Sequence, residues 1–554
     1  MTQRDIAPPP PDDGQPRFAP NARAADAEAA TRQEDSDREG VAKATGIVAA
    51  GNIASRVLGL AREIVLTNLF GASVSLAAFE NAVILPKAFY DLLIGGHVNS
   101  ALVPVLSKAA AEDAPRDFWD LVSVVFSFVI TIMTILATGL WLLAPWIVPL
   151  LAGENTAIIA PTTSLLRLIL PALVFLSLFA VLSGTLYALR RFSFPAFAGA
   201  LFNASIVIVT LALAPVIGIR AAAFGWLIGS VAQFALQLPG LRDSRLRMSF
   251  RWNHPGLLRI GLLYIPVSFS LIIDTLVVRF FSYRLANDIL ETGVVYMNRA
   301  TTLIQLPQGL VATAISIAIL PTLSQQAANL LKPDGDAQPF KNTLGMGLRL
   351  ATMLILPATV GLFVLATPIV ALLFEHGQFT AADTTITVSA LRLYLIGLPF
   401  AAIDLLLVYA FYARQDTLTP ALIGVVSLMV YMAVALATSS RFGLYSLMIA
   451  DSVKHLLHAF ISSYILLRRL DGAGNQRLIL TTLKASAAAA LMGATAFALL
   501  RFMGTSASGS LAEAGFVLVS GSISGLVFIV AAYLLRIEEL RWLISLVQRR
   551  IGNR

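Results

Sequence analysis

Apolar residues fall along the chain in a row of long blocks, near 44–70, 74–103, 119–151, 162–189, 195–218, 221–240, 257–284, 293–321, 345–374, 384–412, 420–439, 443–467, 480–502 and 512–536. Each block is long enough to cross about 30 Å of hydrocarbon as a helix. A water-soluble chain would hide its core behind charged surface helices, and few segments here have that character. The pattern predicts an all-α integral membrane protein with about fourteen transmembrane helices. Internal prolines at Pro171, Pro266, Pro307 and Pro357 are expected kinks. Composition agrees, with 57% hydrophobic and only 13% charged residues. Residues 1–42 differ from the rest, with the proline run Pro8 to Pro11 and many Asp, Glu, Arg, Ala and Gln. They read as a disordered cytoplasmic tail, too polar to bury a core.

Charge placement adds orientation. Even-numbered connections carry basic residues such as Lys108, Arg116, Arg190, Arg191, Arg242, Arg245, Arg414, Arg468 and Arg469. Odd-numbered connections carry Arg220, Arg284, Arg441 and Arg501. Basic residues favour the cytoplasmic side, so both termini are expected there. The net charge of +8 is thereby explained without nucleic acid.

The chain also repeats itself. Leu102-Val-Pro-Val-Leu-Ser-Lys-Ala-Ala resembles Leu320-Pro-Thr-Leu-Ser-Gln-Gln-Ala-Ala, and Ala144-Pro-Trp-Ile-Val-Pro-Leu-Leu resembles Ala366-Thr-Pro-Ile-Val-Ala-Leu-Leu. Tyr187-Ala-Leu-Arg-Arg-Phe-Ser-Phe-Pro195 resembles Tyr412-Ala-Arg-Gln-Asp-Thr-Leu-Thr-Pro420. The matches keep their order at a near-constant offset. They divide the chain into an N-lobe at 43–240, a C-lobe at 241–470, and two added helices with a cytoplasmic C-terminus at 471–554. Two related six-helix lobes about a central site is transporter architecture.

Ionisable residues inside spans are the chemical signal, because each costs about 2.5–3.5 kcal/mol on insertion scales and so faces a cavity or a partner. The first helix carries Asn52, Arg56, Gly59 and Glu63 on one stripe, with Arg62 beside it. The second carries Glu80, Ile84, Lys87 and Asp91. The seventh carries Asp274 and Arg279, and the eighth Asn298 and Arg299, followed by Gln305 and Gln308. Together they predict a mixed-charge cavity between the lobes. Arginine there suits a phosphate or pyrophosphate, whose oxygens match its planar fork. Ion pairing that holds helices together explains Arg62 with Glu63, or Asp274 with Arg279, equally well. Arg56 and Arg299, on different lobes, fit substrate contact better.

Other chemistry is limited. With no cysteine, disulfides and thiolate sites are excluded. His455 and His458 lie one turn apart, a spacing better explained by polar packing than by a metal. Arg392, Asp404 and Lys454 fit either a groove or mutual pairing. No nucleotide-binding loop, external carboxylate pair or nucleophile–base pair stands out. Energy would come from an ion gradient or the membrane potential, with Asp274 the best candidate ion ligand.

Several of these stretches resemble the MurJ/MviN family, the lipid II flippases of bacterial peptidoglycan synthesis, within the multidrug/oligosaccharidyl-lipid/polysaccharide exporter superfamily. They are Ser55-Arg-Val-Leu-Gly-Leu-Ala-Arg62-Glu with Phe70-Gly-Ala, Ala101-Leu-Val-Pro-Val-Leu-Ser107, and Arg191-Phe-Ser-Phe-Pro-Ala-Phe-Ala198. Leu373-Phe-Glu-His-Gly-Gln-Phe-Thr380 and Phe411-Tyr-Ala-Arg-Gln-Asp-Thr-Leu-Thr-Pro420 complete the set. The resemblance implies export of undecaprenyl-pyrophosphate-linked disaccharide-pentapeptide from the inner to the outer leaflet of the bacterial inner membrane. It implies no enzymatic activity, and it implies other cell-wall synthesis proteins as partners. It implies cavity roles for Arg56, Arg62 and Arg299, with Glu63 standing for the family's aspartate. A sodium ion or a proton is the coupling ion the resemblance makes available. In the run Leu85-Pro-Lys-Ala-Phe-Tyr-Asp91 the family's paired arginines are replaced by Tyr90 and Asp91, and Lys87 lies one turn away. The family's earlier aspartate aligns with Ala77, with Glu80 a turn on. Those departures leave open another polyprenyl-linked glycan, or a drug, as cargo. A membrane-embedded lipid-modifying enzyme would need acid/base groups at a membrane face.

Overall fold

The computed structural model describes residues 46–94, 102–111, 115–262, 277–330, 332, 335–472, 476–503 and 510–552. The N-terminal tail, Asp274 and Pro266 lie outside the described residues. Among the described residues there is no strand. Helix α1 spans 46–70, followed by α2 (Val74–Ile94), α3 (Val103–Ala111), α4 (Pro115–Ala152), α5 (Thr156–Ile169), α6 (Ala172–Ala188), α7 (Ser193–Ile217) and α8 (Arg220–Ala235). A short α9 at 255–262 precedes α10 (Val278–Ile289), α11 (Gly293–Pro307), α12 (Ala314–Leu330), α13 (Gln338–Val364) and α14 (Ala366–Phe374). The chain continues through α15 (Ala381–Ala413), α16 (Leu418–Phe442), α17 (Tyr445–Arg469), α18 (Leu478–Met503), α19 (Ser510–Leu534) and α20 (Glu538–Gly552).

Every one of the fourteen apolar blocks overlaps a helix. Nine helices among the described residues are long and apolar enough to cross a membrane, or ten if the bent pair α5 and α6 is one span. The expected count of fourteen is not reached by that measure. Helices α1, α2 and α17 fall short because they carry the ionisable residues, among them Arg56, Arg62, Glu80, Lys87, Asp451 and Lys454. The outer surface fits a bilayer, since Val216 and Phe502 are 82% and 89% exposed, respectively, and water would solvate such side chains poorly. This is a multi-pass membrane protein.

The prolines act unequally. Pro171 sits at the 41° bend between α5 and α6. After Pro307 the helix widens into a π-helical stretch, Gln308–Thr313, before α12. At Pro357 helix α13 runs on without a break. The C-terminus expected after the two added helices contains the further helix α20.

Two large apolar cores organise the chain. One joins α1, α2 and α4–α8 through Leu76, Leu151, Leu166 and Trp226. The other joins α10–α17 through Val294, Leu323, Phe374, Phe411 and Leu447. A smaller core around Met353, Ala488, Met492, Phe528 and Leu540 seats α18–α20 against α13.

The repeated motifs adopt repeated geometry. In the turn after α6, Arg190 has φ 57° and the Arg191 amide bonds to the Leu186 carbonyl at 2.8 Å. In the turn after α15, Gln415 has φ 59° and the Asp416 amide bonds to the Phe411 carbonyl at 3.0 Å. Each turn is stapled to the end of a later helical pair. Arg191 donates to the Gly240 carbonyl and to Asp243, whereas Asp416 accepts from Arg469. Burial pushes the Asp416 carboxyl up, but the Thr419 hydroxyl and amide and Arg469 together hold it below the usual carboxylate range. Pro195 and Pro420 fall in the first turns of α7 and α16, where no intrahelical N–H is lost.

Small residues bring α1 against α7. A side chain at Gly51 would fall on the Ala196 carbonyl oxygen, and one at Gly199 on the Ser55 hydroxyl. Such stripes let membrane helices approach closely. Gly51→Val therefore forces two backbones apart, at a cost of about 1–3 kcal/mol for overpacking. A lowered thermal unfolding midpoint in detergent is expected. Gly139→Val, with nothing within 4 Å, is expected to leave that midpoint unchanged.

Candidate functional site

A cavity of about 340 Å³ lies between the two bundles. Helix α1 supplies Arg56, Gly59, Arg62 and Glu63, and α2 supplies Glu80, Ile84, Lys87 and Asp91. Both sequence stripes thus face one space, as steps of three and four on a helix require. Arg279 and Tyr283 enter from α10, and Asn298, Thr301, Thr302 and Gln305 from α11. Phe202 and Asn203 of α7 and Trp226 of α8 complete the wall. The sequence reading missed these three. Asn203, a lone amide in an apolar run, was the one signal available.

Arg299 is the exception among the expected site residues. It does not line the cavity and is fully buried behind it, at 0% exposure. Its guanidinium bridges Glu63 and Glu80, the latter at 2.5 Å. Arg299, expected to contact substrate, is set behind the cavity wall by its position on α11: residues 298, 301, 302 and 305 share the cavity face, and Arg299 lies about 100° round the helix from Asn298. Glu80 also accepts from the Asn298 amide, which in turn contacts the Tyr283 hydroxyl at 2.9 Å.

The remaining cations divide into two kinds. Arg62 donates to Glu63 at 2.5 Å and to the Asn203 amide oxygen at 3.0 Å. Arg279 pairs with Asp91 at 2.8 Å across the bundles. Arg56 and Lys87 are exposed to the cavity, and no acidic group among the described residues pairs with either. Space for Arg56 comes from Gly309, in the π-helical stretch, where a side chain would fall on the guanidinium. Among the described residues, the cavity therefore holds two cationic groups with no carboxylate in ion-pair contact.

Contacts across the bundles cluster where α1 ends and α2 begins. The Gln378 amide donates to the Asn68 carbonyl at 3.0 Å. The Glu154 amide donates to Asp288 at 2.6 Å. Asn81 and Asn287 exchange amide bonds, and Asn287 also reaches the Leu151 carbonyl at 2.9 Å. With Arg299 and its two glutamates, these contacts seal that end of the cavity.

The later charged residues pair locally. Asp404 contacts His458 at 2.5 Å, and Asp451 contacts Lys454 at 2.6 Å and His455 at 3.7 Å. Arg392 donates to the Phe363 carbonyl at 3.2 Å.

Comparisons with known proteins place this arrangement. A family model described as lipid II flippase MurJ matches residues 66–516. A Burkholderia cenocepacia protein named lipid II flippase MurJ is 31% identical over 392 residues, covering 67% of this chain and 73% of the relative. A Vibrio cholerae protein named probable lipid II flippase MurJ is 30% identical over 466 residues, covering 81% and 86%. Among solved structures, a lipid II flippase MurJ in an inward closed conformation matches with TM-score 0.74 and 22% identity, over 88% of this chain and 98% of that one. An inward-facing multidrug resistance MATE family transporter of the MOP superfamily matches with TM-score 0.64 and 17% identity, over 75% and 94%.

Proposed function

The chain belongs to the MurJ lipid II flippase family, and we propose that it moves undecaprenyl-pyrophosphate-linked disaccharide-pentapeptide from the inner to the outer leaflet of a bacterial inner membrane by alternating access. It is a transporter and not an enzyme. The observation that carries the assignment is the pair of cations, Arg56 and Lys87, that no carboxylate among the described residues contacts, in a cavity whose other charges are paired. A pyrophosphate diester brings two negative charges, and charge-assisted bonds to it are roughly twice as strong as neutral ones. Lys87 thus stands in for the arginines that the family carries later in the second helix.

The basic connections support an orientation with both termini in the cytoplasm. The sealed end then faces the periplasm, and the cavity receives cargo from the cytoplasmic leaflet. Arg279 and Asp91, each about one-third exposed at 34%, form the weaker contact on the loading side. The two bundles act as the two lobes. The driving force is assigned to the membrane potential or to a sodium or proton gradient, with Asp274 as candidate ligand.

Binding of undecaprenyl pyrophosphate to the purified protein tests the cation pair. Arg56→Ala and Lys87→Ala are each expected to weaken it at least about tenfold, since a hydrogen bond to a charged group contributes about 1.5–3 kcal/mol. The double variant is expected to fail to rescue a strain depleted of its own lipid II flippase. Wild-type binding and full rescue by that double variant would overturn the assignment.

A further inference from the structure

Beside the cationic cavity lies a second pocket, of about 190 Å³, with a different character. It is lined by Asn52, Ser55, Tyr90, Phe179, Ser183 and Tyr187, with no charged residue among the described residues of its wall. Ser55, Tyr90 and Gly199 line both spaces, so the pocket is a side chamber of the cavity. Asn52 stands one helical turn from Arg56, about 5–6 Å along the same face.

One group in this chamber is unsatisfied. Ser183 is 5% exposed, and its hydroxyl has no hydrogen-bond partner. Its neighbours on α6 behave otherwise. Ser177 and Thr185 return their hydroxyls to the carbonyls of Leu173 and Val181, at 2.8 and 2.9 Å. A buried hydroxyl left unbonded costs about 1–3 kcal/mol, and because Ser183 itself lines the chamber, rotation of its side chain offers that hydroxyl to a ligand hydroxyl or amide. Hydroxyl and amide groups beside aromatic rings, without charge, suit a neutral polyhydroxylated ring: the polar groups exchange donors and acceptors, and the ring faces cover the C–H edges.

We infer that this chamber binds the sugar joined directly to the cargo's pyrophosphate, with Ser183 and Tyr187 as its recognition residues. The inference rests on the pyrophosphate being held at Arg56 and Lys87. A ring attached there has the chamber as its adjoining uncharged space. The chamber would give the protein a preference for glycosylated over bare polyprenyl pyrophosphate.

The test uses the full chain in nanodiscs and two lipids, undecaprenyl pyrophosphate and undecaprenyl-pyrophosphate-disaccharide without peptide. The wild type is expected to bind the glycosylated lipid more tightly. Ser183→Val and Tyr187→Phe, which line only the side chamber, are expected together to remove about tenfold in affinity for the glycosylated lipid. Their affinity for the bare lipid is expected to stay within twofold of wild type, which also reports that the fold is intact. Because the bare lipid's terminal phosphate carries an extra charge, the losses on mutation decide: an equal loss for both lipids, or no loss for either, would overturn the inference. The pyrophosphate reading fails separately, if Arg56→Ala with Lys87→Ala leaves the bare lipid bound as before.

Discussion

A protein with cysteines at positions 68 and 378 is expected to stop flipping when the two are joined, and to resume when the bridge is reduced or cleaved. The Asn68 carbonyl accepts from the Gln378 amide, and a side chain built on Gly377 would meet Asn68. The two backbones are therefore within reach of a disulfide, or of a short bifunctional maleimide where disulfide geometry is not met. Asn68 lies at the end of α1 and Gln378 in the loop between α14 and α15, so the bridge ties one bundle to the other at the sealed end. Alternating access requires that end to part. The chain has no cysteine of its own, so oxidant acts on the engineered pair alone. Flipping, read as exposure of lipid II to an outer-leaflet probe, is expected to fall to background under oxidation in Asn68→Cys/Gln378→Cys. The wild type and both single variants are expected to be unaffected. A fully cross-linked protein that still flips would show that the bundles do not separate there during transport.

The parts of this site that the sequence made legible are those where a charge interrupts an apolar run. On α1 and α2 such residues are few enough that their spacing alone places Arg56, Glu63, Glu80, Lys87 and Asp91 on common faces, and the structure brings all five into one cavity. The wall from α7 and α8 was hidden, because Phe202 and Trp226 look like any other apolar side chain in a membrane helix. The choice of partners was hidden as well. Arg62 and Glu63 adjoin in sequence and do bond, yet Glu63 also reaches Arg299, more than two hundred residues away. Pairing depends on how the bundles meet, and local spacing carries no trace of that. The register on α11 was readable in principle. Asn298, Thr301, Thr302 and Gln305 recur at helical spacing, which leaves Arg299 off their stripe. Charge drew the reading to Arg299, when periodicity pointed to its neighbours. In the fold, helices were evident from block length, but crossings were not. The functional charges dilute the apolarity of the very helices that line the site.

Arg299→Ala is expected to abolish flipping, and a neutral replacement of its whole triad is expected to recover part of it. Arg299 is fully buried between Glu63 and Glu80, whose side chains are 13% and 14% exposed. Removing the arginine alone leaves two carboxylates facing each other with little water. Breaking a buried pair in this way costs about 3–5 kcal/mol. A shift of about 5.5 kcal/mol carries a two-state equilibrium from 99:1 to 1:99, so most of the sealed conformation would be lost. Arg299→Lys supplies one compact charge where a planar fork spans two acceptors, and an intermediate loss is expected. The informative variant is Arg299→Met with Glu63→Gln and Glu80→Gln. It removes the charges together, and buried ion triads replaced by neutral groups of similar volume are often as stable as the original. If Arg299 serves to close the bundles, this triple variant regains thermal stability and measurable flipping, and binds undecaprenyl pyrophosphate within a fewfold of wild type. If Arg299 instead grips the cargo during the cycle, stability returns while binding and flipping stay as low as in Arg299→Ala. The two outcomes separate a residue that shapes the cavity from one that fills it.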